Sequence, residues 1–213
     1  MKTVLVLGAT SPTAQAFIQL LQTDYPDTAI KLFVRNPAKL PADQRTAFPI
    51  FTGDANTATD LIPALDNVTH VYTAVGGTGT GNSVSALLSA IQTTQASIEH
   101  IVDISAGGIY GEYQSGLRPY LSAVRFMYPG YTKEQLRKPD LYAASGIAYT
   151  IFRPGLIQNG PETQLITHLP DYRKIGPAEF DINRSTFARA AANALFQDQY
   201  HNQSLSVSNG APL

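Results

Sequence analysis

Cysteine is absent from the 213-residue sequence, and this absence removes several kinds of chemistry. The chain forms no disulfide, no thiolate metal site and no iron–sulfur cluster, and it has no cysteine nucleophile. Charged residues are also scarce, at 15% against about 25% in an ordinary globular protein. The formal net charge is −1, so no excess of positive charge attracts nucleic acid or an anionic membrane.

Long hydrophobic runs are missing as well. A membrane-spanning helix needs about 18 consecutive apolar residues, and no segment of the chain approaches that length. The apolar stretch that follows Lys2 ends at Gly8, which is too short for the hydrophobic core of a signal peptide. The sequence therefore predicts a cytoplasmic protein that binds neither nucleic acid nor membrane.

Several signatures of hydrolytic and metal-dependent chemistry are also absent. The histidines include no pair at i and i+4, the spacing that a helical metal site uses, so we expect no metal. No G-x-S-x-G segment marks the nucleophile of an α/β-hydrolase, and no G-x-x-x-x-G-K-[ST] segment marks a nucleoside triphosphatase. The histidines are His70, His100, His168 and His201.

Short β-branched segments alternate with longer helical patterns along the chain. Strands separated by helices indicate right-handed βαβ units and a doubly wound parallel sheet of the Rossmann type, an α/β fold. We predict the strand order 3-2-1-4-5-6, with a late strand at the sheet edge. The predicted strands cover residues 3–7, 30–34, 49–52, 68–75, 101–105, 148–152 and 204–208. The predicted helices cover residues 58–65, 82–94, 141–145 and 186–196, and the first helix begins at Pro12.

A single domain accommodates residues 1–213, because a chain of this length buries one sizeable core. Two stretches, 107–139 and 156–182, show few regular strand or helix signals. We predict that both form excursions on the substrate side. They would lie over the carboxyl ends of the strands, where open α/β sheets bind ligands.

The turn between the first strand and the first helix has the position of a dinucleotide-binding turn. In the pattern G-x-x-G-x-x-G, the first glycine permits the tight turn, and the other two allow close approach of the pyrophosphate and of the helix. Gly8 is the first glycine here, whereas Ser11 and Ala14 take the other two positions. Both replacements are small, so we still expect close packing.

Hydroxyl groups stand beside the missing glycines in this turn. Thr10, Ser11 and Thr13 are able to donate to a phosphate, next to the N-terminal amides of the helix. Pro12 suits the first helical position but removes one amide donor. The alternative interpretation is an ordinary strand–helix turn capped by Ser11.

A basic residue follows the second strand, at the place that selects between dinucleotides. NAD-binding proteins carry Asp or Glu there to bind the ribose 2′-hydroxyl, whereas a basic residue suits the 2′-phosphate of NADP. Arg35 occupies this place, Lys39 lies nearby, and residues 31–40 contain no acid. The sequence therefore favours NADP(H) over NAD(H), with a solvated surface arginine as the alternative.

The ends of the third and fourth strands add two segments to the predicted cofactor site. Asp54 is placed to bind the adenine amino group, with Ala55 beside the base, and its alternative role is a helix cap. Ala74, Val75 and Gly76 offer small or apolar residues against which ribose and pyrophosphate can pack. A plain glycine loop is the alternative for this second segment.

Candidates for catalysis lie after the fifth strand. Ser105 ends that strand and faces the crevice where a substrate carbonyl would sit, and Tyr110 follows in the same loop. Lys133 is the third candidate. Pro154, after the sixth strand, is predicted to wall one face of a nicotinamide. Arg153 is predicted to be a buried arginine that binds loop carbonyls.

Together these segments resemble the atypical short-chain dehydrogenase/reductase group and, within it, the NmrA-like NAD(P)H-binding proteins. The resemblance spans nearly the whole chain and implies a Rossmann-like sheet, an NAD(P) cofactor and a reduced C-terminal substrate region. The matching segments are Gly-Ala-Thr at 8–10, Val-Arg-Asn-Pro at 34–37, Gly-Asp at 53–54, Ile-Ser-Ala-Gly-Gly-Ile-Tyr at 104–110 and Ala-Ser-Gly-Ile-Ala-Tyr-Thr-Ile-Phe-Arg-Pro-Gly at 144–155.

Two functions follow from the resemblance. The first is an NADP(H)-dependent oxidoreductase that transfers hydride to a small carbonyl, quinone or flavin-like acceptor. The second is a non-catalytic NADP(H)-binding redox sensor that regulates a protein partner. Classical short-chain dehydrogenases carry Tyr-x-x-x-Lys, in which the lysine lowers the pKa of the proton-donating tyrosine. No tyrosine lies four residues before a lysine here, so the proton donor is left open.

Overall fold

The computed structural model describes residues 2–76, 82–111, 127–171, 181–197 and 199–213. Its strands are β1 (Thr3–Leu7), β2 (Ala29–Val34), β3 (Ile50–Thr52), β4 (His70–Thr73), β5 (His100–Ile104), β6 (Ala148–Pro154), β7 (Leu156–Gln158), β8 (Thr163–His168), β9 (Asp181–Asn183) and β10 (Gln203–Pro212). Its α-helices are α1 (Pro12–Asp24), α2 (Ala42–Ala47), α3 (Ala58–Leu61), α4 (Ser83–Thr94), α5 (Pro129–Ser145) and α6 (Arg184–Phe196). Two short 3-10 helices are Pro37–Lys39 and Ile62–Ala64.

The main sheet has the strand order β3-β2-β1-β4-β5-β6-β10-β8, and β7 and β9 form a separate parallel pair. Neighbouring strands from β3 through β10 are parallel, and β8 runs antiparallel to β10. This confirms the doubly wound α/β fold and the predicted order of the first six strands. The chain direction across the sheet reverses between β1 and β4, which is where such sheets bind ligands.

The prediction that the last strand forms the sheet edge is wrong. β10 lies between β6 and β8, and β8 forms the edge, with Ser206 opposite His168. β8 belongs to the stretch 156–182, for which the sequence shows few strand signals. Most of its side chains are only partly buried, and its partner strand lies far along the chain, so no local pattern announces it.

Strand β1 is buried on both faces, as a central strand of a parallel sheet must be. Val4 and Val6 belong to the apolar cluster on one side of the sheet, and Leu5 and Leu7 belong to the cluster on the other side. Helix α1 packs on the first side with the face that helical periodicity predicts. Its buried residues are Ala14, Phe17, Ile18 and Leu21.

Helix α5 is longer than the sequence predicts. The pattern predicts a helix over residues 141–145, but the helix begins at Pro129 and contains Pro139. Proline inside a helical pattern is normally a breaker, and the buried residues in the middle of this helix are polar. Both features conceal the helix from sequence analysis. Gly146 ends it with a φ of 72°, the left-handed conformation common after a helix.

The carboxyl ends of β1 to β6 lie along one edge of the sheet, because these strands are parallel. The loops at this edge carry the predicted cofactor and substrate residues. None of the helices in the described part of the chain is both long and apolar enough to cross a membrane.

Candidate functional site

A cleft of about 750 Å³ lies at the carboxyl ends of β1 to β4. Most of the residues predicted to bind a cofactor line it, although they come from four separate loops. Pro12, Thr13 and Pro154 are not among its walls. The predicted residues that do line the cleft are Gly8, Thr10, Ser11, Arg35, Asp54, Ala55, Ala74, Val75 and Gly76.

Gly8 follows β1 in a conformation that glycine adopts easily and other residues rarely do. Its φ is +72°, and its amide donates to the Phe33 carbonyl oxygen at 3.1 Å. A Cβ atom at this position would lie 2.7 Å from the carbonyl oxygen of Ala74, well inside the normal contact distance. Both the conformation and the space therefore require glycine here.

Ser11 caps helix α1, as the sequence predicts. Its Oγ atom accepts a hydrogen bond from the Ala14 amide at 3.1 Å, and its own amide donates to the Gly8 carbonyl oxygen at 3.0 Å. Pro12 lies in the first turn and has no N–H group. The helix start therefore has fewer free amides than a glycine-rich turn, and the hydroxyl hydrogens of Thr10 and Ser11 are donors on the cleft wall.

Two cations stand on the rim of the cleft beyond β2. Arg35 and Lys39 are both exposed and both line the cleft. Between them, the Asn36 side-chain oxygen accepts a hydrogen bond from the Ala38 amide at 3.0 Å and caps the 3-10 helix that carries Lys39. This local cap holds the two cations on the same part of the rim.

Asp54 carries a negative charge on the same side of the cleft. The pKa of its carboxyl is lowered, first by a hydrogen bond from the Asn56 backbone amide, then by one from the Asn56 side chain, and also by the charge of Arg35. Both Asn56 donors bind the same oxygen, Oδ1, at 3.0 and 2.9 Å. An ionised carboxylate accepts hydrogen bonds only, which suits an exocyclic amino group.

Asp60 stabilises the turn that carries Asp54 through a hydrogen bond, and sequence analysis missed this role. The Asp54 amide donates to Asp60 Oδ2 at 2.9 Å. A Cβ atom on Gly53 would lie 2.6 Å from the Cβ atom of Asp60, so this turn also requires glycine. The sequence marks the turn by Gly53-Asp54 but gives no sign of its support.

A pair of glutamines ties helix α2 to the glycine turn. Gln15 Nε2 donates to the Ala9 carbonyl oxygen at 2.7 Å and to Gln44 Oε1 at 2.9 Å. Gln44 Nε2 donates back to Gln15 Oε1 at 2.8 Å. Gln44 is buried, with 6% of its surface exposed, so the pair supports the turn from within. Neither glutamine belongs to a recognisable motif.

The three residues predicted to act in catalysis lie in two places. Ser105 is buried, its amide donates to the Phe152 carbonyl oxygen at 2.8 Å, and its Oγ atom has no hydrogen-bond partner in the described part of the chain. Tyr110 and Lys133 line a second groove of about 630 Å³ between the loop after β5 and helix α5. The structure thus brings Tyr110 and Lys133 together, while Ser105 lies on neither wall.

A buried charged network lies at the end of β5, and sequence analysis missed it. Lys138 Nζ lies 2.9 Å from Asp103 Oδ2 and also donates to the Ile104 carbonyl oxygen at 3.0 Å. The Tyr142 hydroxyl donates to Asp103 Oδ2 at 3.0 Å. Lys138 and Tyr142 are four residues apart, so both project from one face of α5.

The charge of Asp103 affects the tyrosines of this helix. Burial raises the pKa of Tyr142 well above its usual value, and the negative charge of Asp103 and its hydrogen bond raise it further. Burial also raises the pKa of Tyr131, with Asp103 adding to the effect. These phenols therefore stay protonated at neutral pH, unlike a tyrosine activated by a neighbouring lysine.

Arg153 is fully buried, as predicted. Its Nη1 atom donates to Ser204 Oγ at 2.6 Å, and its guanidinium carbon lies 4.8 Å from the centre of the Tyr110 ring. The Gly107 amide donates to the Pro154 carbonyl oxygen at 2.7 Å. These contacts fix the loop after β5 against the end of β6, which places Tyr110.

The sequence matches one family model and none of the curated proteins. The family model described as NAD(P)H-binding matches residues 8–198. The match confirms the predicted resemblance at the level of NAD(P)H binding, whereas membership of the NmrA-like subgroup stays a prediction.

Solved structures with the same fold include a protein bound to NADP, a protein described as NAD(P)-binding and a reductase. A short-chain dehydrogenase/reductase from Veillonella parvula DSM 2008, in complex with NADP, is 19% identical, with a TM-score of 0.78 over 98% of this chain and 94% of that one. A Rossmann-fold NAD(P)-binding family protein from Shigella flexneri is 21% identical, with a TM-score of 0.76 over 100% and 95%. The anaerobillin reductase ChuY from Escherichia coli O157:H7 is 16% identical, with a TM-score of 0.77 over 98% and 97%.

Proposed function

Because the family model covers residues 8–198, the chain belongs to the NAD(P)H-binding family, and we propose that it is an NADP(H)-dependent oxidoreductase. It transfers hydride between the cofactor and a small carbonyl, quinone or flavin-like acceptor. The observation that carries the proposal is the pair of exposed cations, Arg35 and Lys39, on the cleft rim beyond β2. Cations at this place suit the 2′-phosphate that distinguishes NADP from NAD.

The other cleft residues fit the remaining parts of a dinucleotide. Gly8 lines the cleft and carries no side chain, so a pyrophosphate can approach its backbone, with the hydroxyls of Thr10 and Ser11 as donors. Asp54 is an acceptor for an adenine amino group. The bound cofactor supplies the hydride, and the protein residues bind and orient the reactants.

The acceptor side of the proposal rests on the end of β5. Ser105 is the leading candidate to donate a hydrogen bond to the acceptor's oxygen, because its hydroxyl is buried and no described residue binds it. Tyr110 and Lys133, which line the second groove, are candidates to bind the rest of a small-molecule acceptor. We expect no role for a metal.

Two measurements test this function directly. NADPH and NADH are titrated against the protein by fluorescence or calorimetry, and tighter binding of NADPH is expected. NADPH consumption is then followed with a panel of quinones, flavins and aldehydes. Turnover of any panel member that disappears in Ser105→Ala or Tyr110→Phe, with unchanged NADPH affinity, supports the oxidoreductase.

A second candidate function is a redox sensor that binds NADP(H) and regulates a protein partner. The observation that favours it is the state of Lys138, which is bound to Asp103 and the Ile104 carbonyl oxygen and is thereby withheld from activating a tyrosine. A sensor needs only different affinities for a partner in its two cofactor states. Absence of turnover across the panel, together with partner capture in one redox state only, would favour the sensor.

Three broader expectations accompany the proposal. We expect a cytoplasmic protein, a single domain over residues 1–213, and substrate-side roles for 107–139 and 156–182. One cooperative unfolding transition, observed equally by fluorescence and circular dichroism, would support the single domain. Cell fractionation tests the location.

A further inference from the structure

The buried face of helix α5 is polar, which is unusual for a helix that packs on a sheet. Its buried residues are Thr132, Gln135, Lys138 and Tyr142, and we call these four the α5 polar stripe. By contrast, 37% of the surface of Leu136 on the same helix is exposed. Burying polar groups is costly unless they are hydrogen-bonded, so a polar buried face commonly marks a functional site.

In the half of the α5 polar stripe nearer the helix C-terminus, both side chains have hydrogen-bond partners. Lys138 donates to Asp103 and to the Ile104 carbonyl oxygen, and the Tyr142 hydroxyl donates to Asp103. The one positive and one negative charge of this half lie in direct contact. It therefore offers no free charge to a ligand and serves to fix α5 on the end of β5.

In the half nearer the helix N-terminus, the side-chain oxygens of Gln135 and Thr132 lack hydrogen-bond partners within the described part of the chain. These atoms, Gln135 Oε1 and Thr132 Oγ1, are buried, and so is Ser105 Oγ, which no residue that the structure describes binds either. The exposed fractions of Gln135, Thr132 and Ser105 are 3%, 5% and 6%. An unsatisfied buried polar group destabilises the fold, so each of these atoms is a candidate to bind a polar ligand.

The register between β5 and α5 brings Gln135 level with Ser105. Lys138 binds the Ile104 carbonyl oxygen, and α5 must run antiparallel to β5 because β5 and β6 are parallel neighbours. Gln135 lies about 4.5 Å beyond Lys138 toward the carboxyl edge of the sheet. Ser105 lies about 3.3 Å beyond Ile104 in the same direction.

We propose that Gln135 and Ser105 form a binding subsite for the uncharged head of the acceptor, and that this head is a cyclic amide with an N–H group beside a carbonyl. This inference rests on the proposed function, because it places the head next to the nicotinamide end of the cofactor. A primary amide carries an acceptor and donors side by side, so its natural complement is an amide edge that both donates and accepts. The Ser105 hydroxyl then donates to a second carbonyl oxygen of the head.

Isatin and N-methylisatin form a pair of probes for this subsite, because the methyl group replaces the N–H donor. The methyl group also adds bulk, and Gln135→Leu controls for this because leucine is similar in size to glutamine but cannot accept a hydrogen bond. Binding of each is measured by calorimetry to the protein saturated with NADP⁺. Isatin is expected to bind about tenfold more tightly than N-methylisatin, since the methylated probe leaves the Gln135 oxygen buried and unpaired. Gln135→Leu should make the two affinities equal, whereas Ser105→Ala should weaken both probes by the same factor.

The matched control is Gln92→Leu, on the exposed face near the end of α4, which should keep the tenfold preference. NADP⁺ affinity is measured first for every variant and reports on folding. Equal binding of the probes to the unchanged protein, a preference that persists in Gln135→Leu, or no binding of either probe would overturn the subsite while leaving the NADP⁺ site standing. Failure of the unchanged protein to bind NADP⁺ would overturn both.

Discussion

Lys138 and Asp103 form an ion pair of 2.9 Å in which the side chains are only 5% and 1% exposed. The pair joins α5 to the end of β5, across 35 residues of sequence. A buried pair adds little net stability, but removal of one partner leaves an isolated buried charge. We therefore expect the loss of either member alone to destabilise the fold strongly.

Lys138→Met is expected to lower the free energy of unfolding by about 3–5 kcal/mol, because it leaves the Asp103 carboxylate uncompensated. The double variant Lys138→Met with Asp103→Asn should recover a large part of this loss. Urea unfolding followed by circular dichroism measures both. Lys133→Met, an exposed position on the same helix, is the control and should change stability by less than about 0.5 kcal/mol. Equal losses in the two lysine variants would contradict the role of the buried pair.

Arg35→Ala is expected to weaken NADPH binding by about 10- to 100-fold, which corresponds to loss of a charge-assisted hydrogen bond to phosphate. NADH binding should change little, because NADH lacks the 2′-phosphate. Lys39→Ala should act in the same direction, with a smaller effect. Arg45→Ala removes an exposed arginine outside the cleft walls and should leave both affinities unchanged. Equal losses for NADPH and NADH would remove Arg35 from this role.

Gly8→Ala is expected to abolish measurable NADPH binding and to destabilise the protein by more than about 1 kcal/mol. The physical reason is the φ of +72° together with the contact of 2.7 Å that a Cβ atom would make with Ala74. Gly130→Ala is the matched control, because a Cβ atom there meets no described residue within 4 Å. That change should be neutral or mildly stabilising. Full NADPH affinity in Gly8→Ala would show that the turn is not the pyrophosphate site.

A buried histidine, His100, lies at the opposite end of the sheet, and its hydrogen bonds favour the neutral ring. The Thr150 hydroxyl donates to the Tyr200 carbonyl oxygen at 2.9 Å, so it must accept from His100 Nε2, which lies 2.9 Å away. His100 Nδ1 then accepts from His201 Nε2 at 2.7 Å. Protonation of His100 would require the His201 ring to change tautomer, so that its Nε2 atom accepts instead of donating.

Acid is therefore expected to destabilise the protein through His100. Burial, together with the charges of His201 and His70, lowers the pKa of His100 from 6.5 to about 3. The unfolded chain takes up a proton that the folded protein excludes, so the free energy of unfolding falls as the pH drops from 6.5 toward about 3. Urea unfolding at several pH values should show a shallower decline for His100→Gln. Protonation of His100 near pH 6.5 in the folded protein, observed by NMR, would contradict this expectation.

Local chemistry explains which parts of this structure the sequence predicts well. The glycine turn and α1 follow from neighbouring residues, because Gly8, Ser11 and Pro12 each determine their own turn or cap. Arg35 and Asp54 follow from their positions after strands. These features require no knowledge of distant contacts, so most of the predicted cofactor residues meet at one cleft although they come from four loops.

Contacts between distant segments explain what the sequence does not reveal. Helix α5 is concealed because Lys138 and Gln135 are polar and become interior residues only against β5. Asp60 and Gln44 support their turns through hydrogen bonds that no motif encodes. β8 is hidden because it acquires its strand conformation by pairing with β10. In each case the residue or strand that stabilises the feature is not a near neighbour in a recognisable sequence pattern.

The position of β8 at the sheet edge has a consequence for self-association. An edge strand offers unpaired backbone groups to the edges of other molecules and invites aggregation. Pro161 and Pro170 stand just outside the two ends of β8, and proline has no N–H with which to extend a ladder. The strand at the other edge of the sheet, β3, is only three residues long. Short or proline-bounded edges thus limit intermolecular strand pairing on both sides of the sheet.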